Sequence, residues 1–175
     1  MDLAIRSLAE KIRDIPDFPQ KGVLFRDITT LLKDAVAFKV AIDKLTQPFN
    51  GMPIDVVVGM ESRGFIFGAP LAYNLGAGFV PVRKMGKLPA SAIRAEYDLE
   101  YGTAALEIHE DAIQRGQRVL VIDDLLATGG TVSATIDLVE RLGGQVVAVA
   151  FLIELTALNG RDRLRDREVI SLIRY

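Results

Sequence analysis

The residues best suited to chemistry lie in one stretch, 119–131, with the sequence VLVIDDLLATGGT. Asp123 and Asp124 follow an apolar run typical of a strand buried on both faces, and ligands of open α/β sheets bind at the carboxyl ends of such strands. The residues from Ala127 to Thr131 open a helical pattern, where backbone N–H groups, hydroxyls and the positive helix end can cradle an anion. Adjacent carboxylates would repel a triphosphate but can accept hydrogen bonds from the 2′- and 3′-hydroxyls of a ribose. The stretch therefore predicts a ribose 5-phosphate site, with these members: Asp123, Asp124, Ala127, Thr128, Gly129, Gly130 and Thr131.

The same stretch also has a purely structural interpretation. In it, Asp123 and Asp124 cap the following helix and the glycines make a tight turn. We favour the binding site, because two acids that end a hydrophobic strand are costly to desolvate without a partner. Two rival nucleotide motifs are absent from the sequence: no Gly-Lys-Ser or Gly-Lys-Thr follows a glycine loop, and Gly76-Ala77-Gly78 lacks a third glycine at Pro81.

Strand and helix patterns alternate along the chain, which predicts one three-layer α/β domain over residues 1–175 with a mostly parallel sheet. The polar stretch from Arg83 to about Gly102 has the length of a functional loop or a small hairpin. His109 falls on a predicted helix, where packing is its expected role. The predicted strands are 54–59, 78–82, 119–122, 145–153 and 169–173, and the predicted helices are 3–12, 35–46, 64–75, 104–112 and 131–142.

Composition excludes several classes of protein. With 175 residues, of which 50% are hydrophobic and 25% charged, the chain can bury a core and is not a disordered segment. A net charge of −2 argues against a nonspecific nucleic-acid binder. Without Cys there is no disulfide framework or thiol nucleophile, and a single His excludes a multi-histidine metal site. We expect no membrane span or export signal and a cytoplasmic location.

Motifs inside and outside the stretch 119–131 together resemble a known family. The stretch is similar to the phosphoribosyl pyrophosphate signature of type I phosphoribosyltransferases, a long and specific pattern. The flanking motifs resemble the adenine phosphoribosyltransferase family, whereas relatives for hypoxanthine or orotate share the signature but not this set. These flanking motifs are Phe18-Pro19, Gly22-Val23-Leu24-Phe25-Arg26-Asp27-Ile28, Ser62-Arg63-Gly64-Phe65, Arg83-Lys84, Gly86-Lys87-Leu88-Pro89, Leu99-Glu100-Tyr101-Gly102 and Glu154-Leu155-Thr156.

The resemblance implies a reaction: adenine and 5-phosphoribosyl 1-pyrophosphate give AMP and pyrophosphate, with Mg²⁺ carried by the pyrophosphate and ribose oxygens. It implies the type I phosphoribosyltransferase fold, with a small N-terminal hood over about residues 1–34 and a flexible active-site loop over about residues 83–102. It also implies a homodimer, which the apolar run Phe65-Ile66-Phe67 supports weakly. Two alternatives stay open, namely a transferase for hypoxanthine or xanthine, and a noncatalytic regulator that keeps the sugar-phosphate pocket as a sensor.

The resemblance also implies roles for residues outside the stretch. Arg63 and Lys87 hold the pyrophosphate, joined by Arg83 from a neighbouring subunit. Glu100 is the acid/base near the purine nitrogens, and the peptide between Glu61 and Ser62 is cis. The residues implied for adenine are Leu24, Phe25 and Arg26 in the hood and Leu155 on the opposite purine face.

Each of these roles has a structural alternative. Arg63 could form an ordinary salt bridge, and the two other cations could be solvated surface charges. Glu100 could be an exposed glutamate, and Glu96 could be mistaken for it, since only the Tyr-Gly context separates the two. The two apolar hood residues could be plain core, and Asp27 could anchor the hood to Arg26 or to a helix end.

Overall fold

The computed structural model describes residues 3–98 and 103–175, with two compact units, residues 1–44 and 45–175. The helices are α1 (Leu3–Glu10), α2 (Thr29–Leu32), α3 (Ala35–Thr46), α4 (Gly64–Leu75) and α5 (Gly130–Arg141). The strands are β1 (Arg13–Pro16), β2 (Leu24–Asp27), β3 (Val56–Met60), β4 (Gly78–Lys84), β5 (Ala92–Asp98), β6 (Thr103–His109), β7 (Arg118–Leu126), β8 (Gln145–Glu154) and β9 (Val169–Arg174). Short 3₁₀ helices span Gln47–Phe49, Thr156–Leu158 and Gly160–Leu164. None of the helices in this part of the chain has the length and apolar character needed to cross a membrane.

The first unit carries an antiparallel hairpin of β1 and β2. Its last residue, Asp27, accepts hydrogen bonds from Arg13 Nε at 3.0 Å and from the backbone N–H of Thr29 at 2.9 Å. The Arg13 guanidinium, helped by Thr29, lowers the pKa of Asp27 to about 2. Because Thr29 begins α2, the prediction that Asp27 anchors the hairpin to a helix end is confirmed.

The second unit is built on a sheet of seven strands among the described residues, in the order β5-β6-β4-β3-β7-β8-β9. Strands β4, β3, β7, β8 and β9 are parallel, while β6 pairs antiparallel with β4 and β5 pairs antiparallel with β6. Strand β3 and the core of β7 are β-branched and apolar and are fully buried, as expected for central parallel strands. The predicted α/β fold with a mostly parallel sheet is confirmed.

The chain order creates a switch point between β3 and β7. After β3 the chain passes through α4 to β4 on one side, and it later returns to β7 on the other side of β3. At such a point the connections after the two neighbouring strands leave in opposite directions and open a crevice for ligands. The residues that follow β3 and β7 are therefore the ones this topology brings to a site.

One predicted helix is wrong. Residues 104–112 contain the helix formers Ala, Leu and Glu, but 103–109 form strand β6 between β4 and β5. Leu106 and Ile108 alternate with Glu107 and His109, and the two apolar residues are almost fully buried. Burial on one sheet face and pairing on both edges outweigh the local propensity. Of the two interpretations of 83–102, the hairpin is confirmed for 92–98, and 99–102 lie outside the described residues.

Candidate active site

The carboxyl ends of β3 and β7 lie side by side at the switch point. Gly59 of β3 pairs with Ile122 of β7, so the residues directly after each of them meet. Two cavities of about 200 Å³ and about 350 Å³ open here, and their walls share Arg63, Asp123, Asp124 and Thr131. The structure thus brings the predicted acid pair, part of the glycine-rich turn and Arg63 to one place.

The acid pair is held by an arginine and a helix start. Arg63 Nε lies 2.6 Å from Asp124 Oδ2, and Asp124 is only 5% exposed. Asp123 Oδ1 accepts the backbone N–H of Asp124 at 2.9 Å. Gly64 begins α4 directly against this carboxylate, because a Cβ atom there would lie 3.0 Å from Asp123 Oδ1. The positive end of α4 therefore faces the acid pair.

Burial dominates the electrostatics of the pair. It raises the pKa of Asp123 well above its ordinary value, and the negative charge of Asp124 raises it further. Burial also raises the pKa of Asp124, against the opposing effect of the Arg63 guanidinium. Two desolvated carboxylates that would gain from hydrogen-bond donors fit a ligand with adjacent hydroxyl groups.

The residues 127–131, here called the phosphate loop, line the smaller cavity. Gly129 has a left-handed backbone with φ of +84°, which a glycine adopts without a steric penalty. It precedes α5, and no side chain within the described ranges caps that helix start. The first N–H groups of a helix lack partners within it, so together with the Thr128 and Thr131 hydroxyls they can bind an anion.

The larger cavity is also lined by Lys84 and Tyr97, to which the sequence motifs assign no role of their own. Lys84 ends β4, and its backbone N–H donates to Glu61 Oε2 at 3.1 Å. Tyr97 belongs to β5, whose alternation of apolar and polar residues over 92–98 is the signal that could have placed it. A cation and a phenol thus join the acid pair and Arg63 around this cavity.

The two other predicted pyrophosphate cations lie elsewhere on the same segment. Arg83 Nε donates to Glu61 Oε2 at 3.2 Å, and Arg83 Nη1 donates to the carbonyl of Lys87 at 3.1 Å. The Lys87 side chain is exposed. Although burial acts to raise it, the Lys84 N–H and the Arg83 guanidinium lower the pKa of Glu61. The peptide between Glu61 and Ser62 is cis, as the resemblance implies.

The predicted hood residues belong to the first unit. Leu24 is 45% exposed at the start of β2, so it is not core. Phe25 packs edge-to-face on Phe18 with the ring centres 5.2 Å apart. Arg26 forms an ion pair with Asp14 rather than with Asp27. The hairpin therefore presents one exposed apolar residue and one aromatic ring.

The remaining predicted residues follow β8 or lie on the β5–β6 hairpin. Leu155 is partly buried directly after β8, and its N–H donates to the carbonyl of Leu126 at 2.9 Å. Glu96, the residue that could be mistaken for the acid/base, is exposed on β5 and pairs with Ala105. Glu100 and Tyr101 lie outside the described residues, so the role of Glu100 stays a prediction.

The chain is similar to known phosphoribosyltransferases in both sequence and structure. The family model for the phosphoribosyl transferase domain matches residues 29–173. An adenine phosphoribosyltransferase of Chloroflexus aurantiacus is 62% identical over 170 residues, which are 97% of this chain and 98% of that protein. The crystal structure of adenine phosphoribosyltransferase from Thermoanaerobacter pseudethanolicus has a TM-score of 0.95 at 56% identity, covering 98% of this chain and 99% of that one.

A third relative was solved with ligands. The adenine phosphoribosyltransferase of Saccharomyces cerevisiae, in complex with an imino-altritol bisphosphate and adenine, has a TM-score of 0.91 at 40% identity, covering 97% of this chain and 98% of that one. The match extends over nearly the whole of each chain, and it includes the acid pair and the phosphate loop at the sheet's switch point. This chain belongs to the adenine phosphoribosyltransferase family.

Proposed function

We propose that this enzyme transfers the 5-phosphoribosyl group from 5-phosphoribosyl 1-pyrophosphate to adenine, giving AMP and pyrophosphate. The observation that carries the proposal is the junction of a desolvated acid pair with an uncapped helix start at the sheet's switch point. The named relatives, at identities up to 62%, support adenine as the acceptor base.

The sugar-phosphate half of the substrate fits the β7–α5 junction. The N–H groups and hydroxyls of Ala127, Thr128, Gly129, Gly130 and Thr131 bind the 5-phosphate. Asp123 and Asp124 accept hydrogen bonds from the ribose 2′- and 3′-hydroxyls, which replace the donors that burial denies them. As the bond to the leaving group breaks, positive charge develops on the sugar, and the same carboxylates stabilise it.

The leaving group fits the cationic side of the site. Pyrophosphate takes hydrogen bonds from Arg63 and a favourable field from Lys84, with Arg83 and Lys87 as further cations on the same segment. The resemblance implies a Mg²⁺ ion carried mainly by the substrate oxygens and water rather than by protein side chains. When bound with the substrate, such an ion would supply positive charge to the pyrophosphate oxygens, beside the Arg63 guanidinium.

Base recognition and proton transfer are assigned to the hood and to the hairpin. The residues that the resemblance assigns to adenine, Leu24, Phe25, Arg26 and Leu155, supply apolar side chains and backbone groups of the kind a purine needs. Backbone donors and acceptors that pair with a 6-amino group oppose a 6-oxo group, which favours adenine over hypoxanthine. Glu100 moves the proton at the purine nitrogens.

We further propose that the enzyme is a homodimer. On α4, Ile66 is 36% exposed and Tyr73, seven residues later on the same helix face, is 88% exposed. An apolar helix face next to Arg63 suits a second copy of the chain better than water. Sedimentation analysis tests this: a single species at the mass of two chains supports it, and a monomer at working concentrations contradicts it. The cytoplasmic location stays a prediction.

A turnover assay tests the proposed function directly. The purified chain is given 5-phosphoribosyl 1-pyrophosphate, Mg²⁺ and equal amounts of adenine and hypoxanthine, and nucleotide products are separated by chromatography. We expect AMP to dominate. Predominant IMP would end the assignment of the base, and the absence of any nucleotide would favour the regulator.

A variant tests the acid/base. We expect Glu100→Gln to lower kcat more than it changes either KM, because the carboxylate acts on the reacting nitrogen rather than in ground-state binding. Glu96→Gln is the matched control and should keep wild-type kcat. Unchanged turnover in Glu100→Gln would show that another group carries the proton.

A further inference from the structure

The phosphate loop rests on a second segment of the chain, the 3₁₀ helix Gly160–Leu164, here called the brace segment. Gly160 is buried, and a Cβ atom there would lie 2.2 Å from the carbonyl oxygen of Ala127. A Cβ atom on Gly129 would in turn lie 2.7 Å from the carbonyl oxygen of Gly160. The two backbones are thus packed in direct contact without side chains between them. A shift of the brace segment therefore has to move the loop.

A single arginine ties the brace segment to the sheet. Arg161 Nε and Nη2 donate to the two carboxylate oxygens of Glu154 at 2.6 and 2.8 Å. Arg161 also donates to the carbonyl of Val169 at 3.1 Å and to the hydroxyl of Ser171 at 3.3 Å. Glu154 is only 5% exposed, and the Arg161 hydrogen bonds lower its pKa. This bidentate clamp fixes the brace segment to both β8 and β9.

The carboxylate of the clamp, Glu154, lies on the strand next to β7, beside the point where the phosphate loop begins. Glu154 pairs with Leu126, the residue directly before Ala127. The neighbouring Leu155, by contrast, is held through backbone hydrogen bonding to Leu126, independently of the arginine. A substitution of Arg161 should therefore affect binding of the 5-phosphate more than binding of adenine.

We propose that Arg161 and Gly160 are positioning residues for the 5-phosphate: the clamp on Glu154 presses the Gly160 backbone against the phosphate loop and holds its N–H groups in the phosphate-binding arrangement. This rests on the proposed function, since it assigns the phosphate of the substrate to that loop. A displacement of about 1 Å in a binding group is enough to cost one to two orders of magnitude in a rate or affinity.

Gly160→Ala tests the contact, with Gly144→Ala as its matched control. At Gly144 a Cβ atom would lie 2.8 Å from side-chain atoms of Ile113 and Val139, which is a milder crowding after the far end of α5 from the phosphate loop. We expect Gly160→Ala to raise the KM for 5-phosphoribosyl 1-pyrophosphate and the Kd for ribose 5-phosphate about tenfold or more, with the KM for adenine changed less than about twofold. Gly144→Ala should lower Tm and leave both KM values unchanged. A folded Gly160→Ala enzyme with wild-type ribose 5-phosphate affinity would overturn the proposal.

Arg161 variants test the clamp by a second route that needs no crowded glycine. Arg118 forms the same bidentate pair with Asp55 at the opposite end of the sheet, so Arg118→Ala is the control for loss of an ion pair as such. We expect Arg161→Ala to weaken ribose 5-phosphate binding, measured by calorimetry, about tenfold, and Arg161→Lys to restore part of it, since one of the two hydrogen bonds survives. If Arg161→Ala and Arg118→Ala lowered Tm equally and left ribose 5-phosphate affinity unchanged, the clamp would contribute to stability alone. Wild-type protein that makes no AMP would instead refute the proposed function, so the two failures are distinguishable.

Discussion

At each end of strand β7 a residue of β7 forms an ion pair with a residue next to β3, Arg118 with Asp55 at the amino end and Asp124 with Arg63 at the carboxyl end. The two pairs differ in burial and in hydrogen bonding. At the amino end, Arg118 Nε and Nη2 donate to both oxygens of Asp55 at 3.0 and 2.9 Å, with each side chain at least a third exposed. At the carboxyl end, Asp124 is almost fully buried and receives Arg63 Nε on one oxygen, beside a second buried acid. Both oxygens of Asp55 therefore accept a hydrogen bond from Arg118, whereas the buried acid pair can still accept hydrogen bonds from a ligand.

The pKa shifts express this difference. Hydrogen bonds from Arg118 lower the pKa of Asp55 to about 2, so its charged form is favoured by folding. Burial raises the pKa of Asp123 and Asp124, so folding opposes their charge until a ligand supplies donors. An Asp–Arg pair thus stabilises the fold at the amino end of β7, and a pair of the same residue types forms part of a ligand site at the carboxyl end. Sites that bind are commonly built at a cost in stability.

The largest effect is expected from Asp124→Asn. It removes a charged acceptor for the sugar hydroxyls, and a hydrogen bond to a charged group is worth about 1.5–3 kcal/mol, or about 10- to 100-fold in the KM for 5-phosphoribosyl 1-pyrophosphate. Asp55→Asn is the matched control and should leave that KM unchanged. Steady-state kinetics at saturating adenine measure both. Equal KM values for the two variants would erase the functional distinction between the ends of β7.

A smaller effect separates the two lysines of the pyrophosphate segment. Both lysines are exposed, but Lys84 lines the larger cavity, whereas Lys87 is not among the residues that line it. A partly solvated ion pair is worth up to about 1 kcal/mol, so we expect Lys84→Ala to raise the KM for 5-phosphoribosyl 1-pyrophosphate about fivefold and Lys87→Ala to raise it less. The reverse order would show that the segment rearranges when the substrate binds and brings Lys87 closer to the pyrophosphate than Lys84.

The sequence predicts the carboxyl end of β7 well because every signal there is local. A continuous apolar run, two acids and a glycine-rich helix start are adjacent along the chain, and their physical meaning does not depend on distant contacts. Helices α3 and α4 match their predicted bounds for a similar reason, since breakers such as Pro48 and Gly76 follow them directly. Arg63 is brought to Asp124 by the β3–β7 pairing that a parallel sheet makes predictable.

Sequence-based prediction fails where a segment's structure is decided by tertiary pairing against its local composition. Strand β6 has the composition of a helix, and the alternation in β5 lies within a polar stretch that has the length of a loop. Strand β5 therefore depends on pairing with β6, and β6 depends on pairing with both β5 and β4. Tyr97 and Lys84 were missed as cavity residues for that reason. The clamp between Glu154 and Arg161 was missed because a polar tail rich in both charges resembles a solvated face, and only the 3₁₀ turn brings Arg161 back to the buried carboxylate.

A stability comparison sharpens the contrast further. Burial disfavours the charged form of Asp123, so we expect Asp123→Asn to raise Tm at pH values above the raised pKa of this acid, by about 2–4 °C if the gain is about 1 kcal/mol in a chain of this size. Asp55→Asn should lower Tm, because it breaks a bidentate pair. Differential scanning calorimetry of the ligand-free proteins at pH 7 measures both. A fall in Tm for Asp123→Asn would mean that its hydrogen bond from Asp124 outweighs the cost of burying the charge.

The smallest effect is a difference in pH dependence between the two ends. Asp55 titrates near its ordinary value of 3.8 in the unfolded chain and at about 2 in the folded protein, so its stabilisation is complete above that ordinary value and is lost as the pH falls towards 2. The raised pKa of Asp123 gives the opposite pH dependence of stability. Protonation of this acid favours the folded state, and that stabilisation is lost as the pH rises through the raised pKa. We therefore expect both Tm differences from the wild type to shrink on acidification. Asp55→Asn should approach the wild-type Tm from below, and Asp123→Asn should approach it from above. Thermal unfolding from neutral to acidic pH checks both trends. If the two variants instead moved away from the wild type together, the carboxylates at the two ends of β7 would share one electrostatic environment, and the contrast between them would fail.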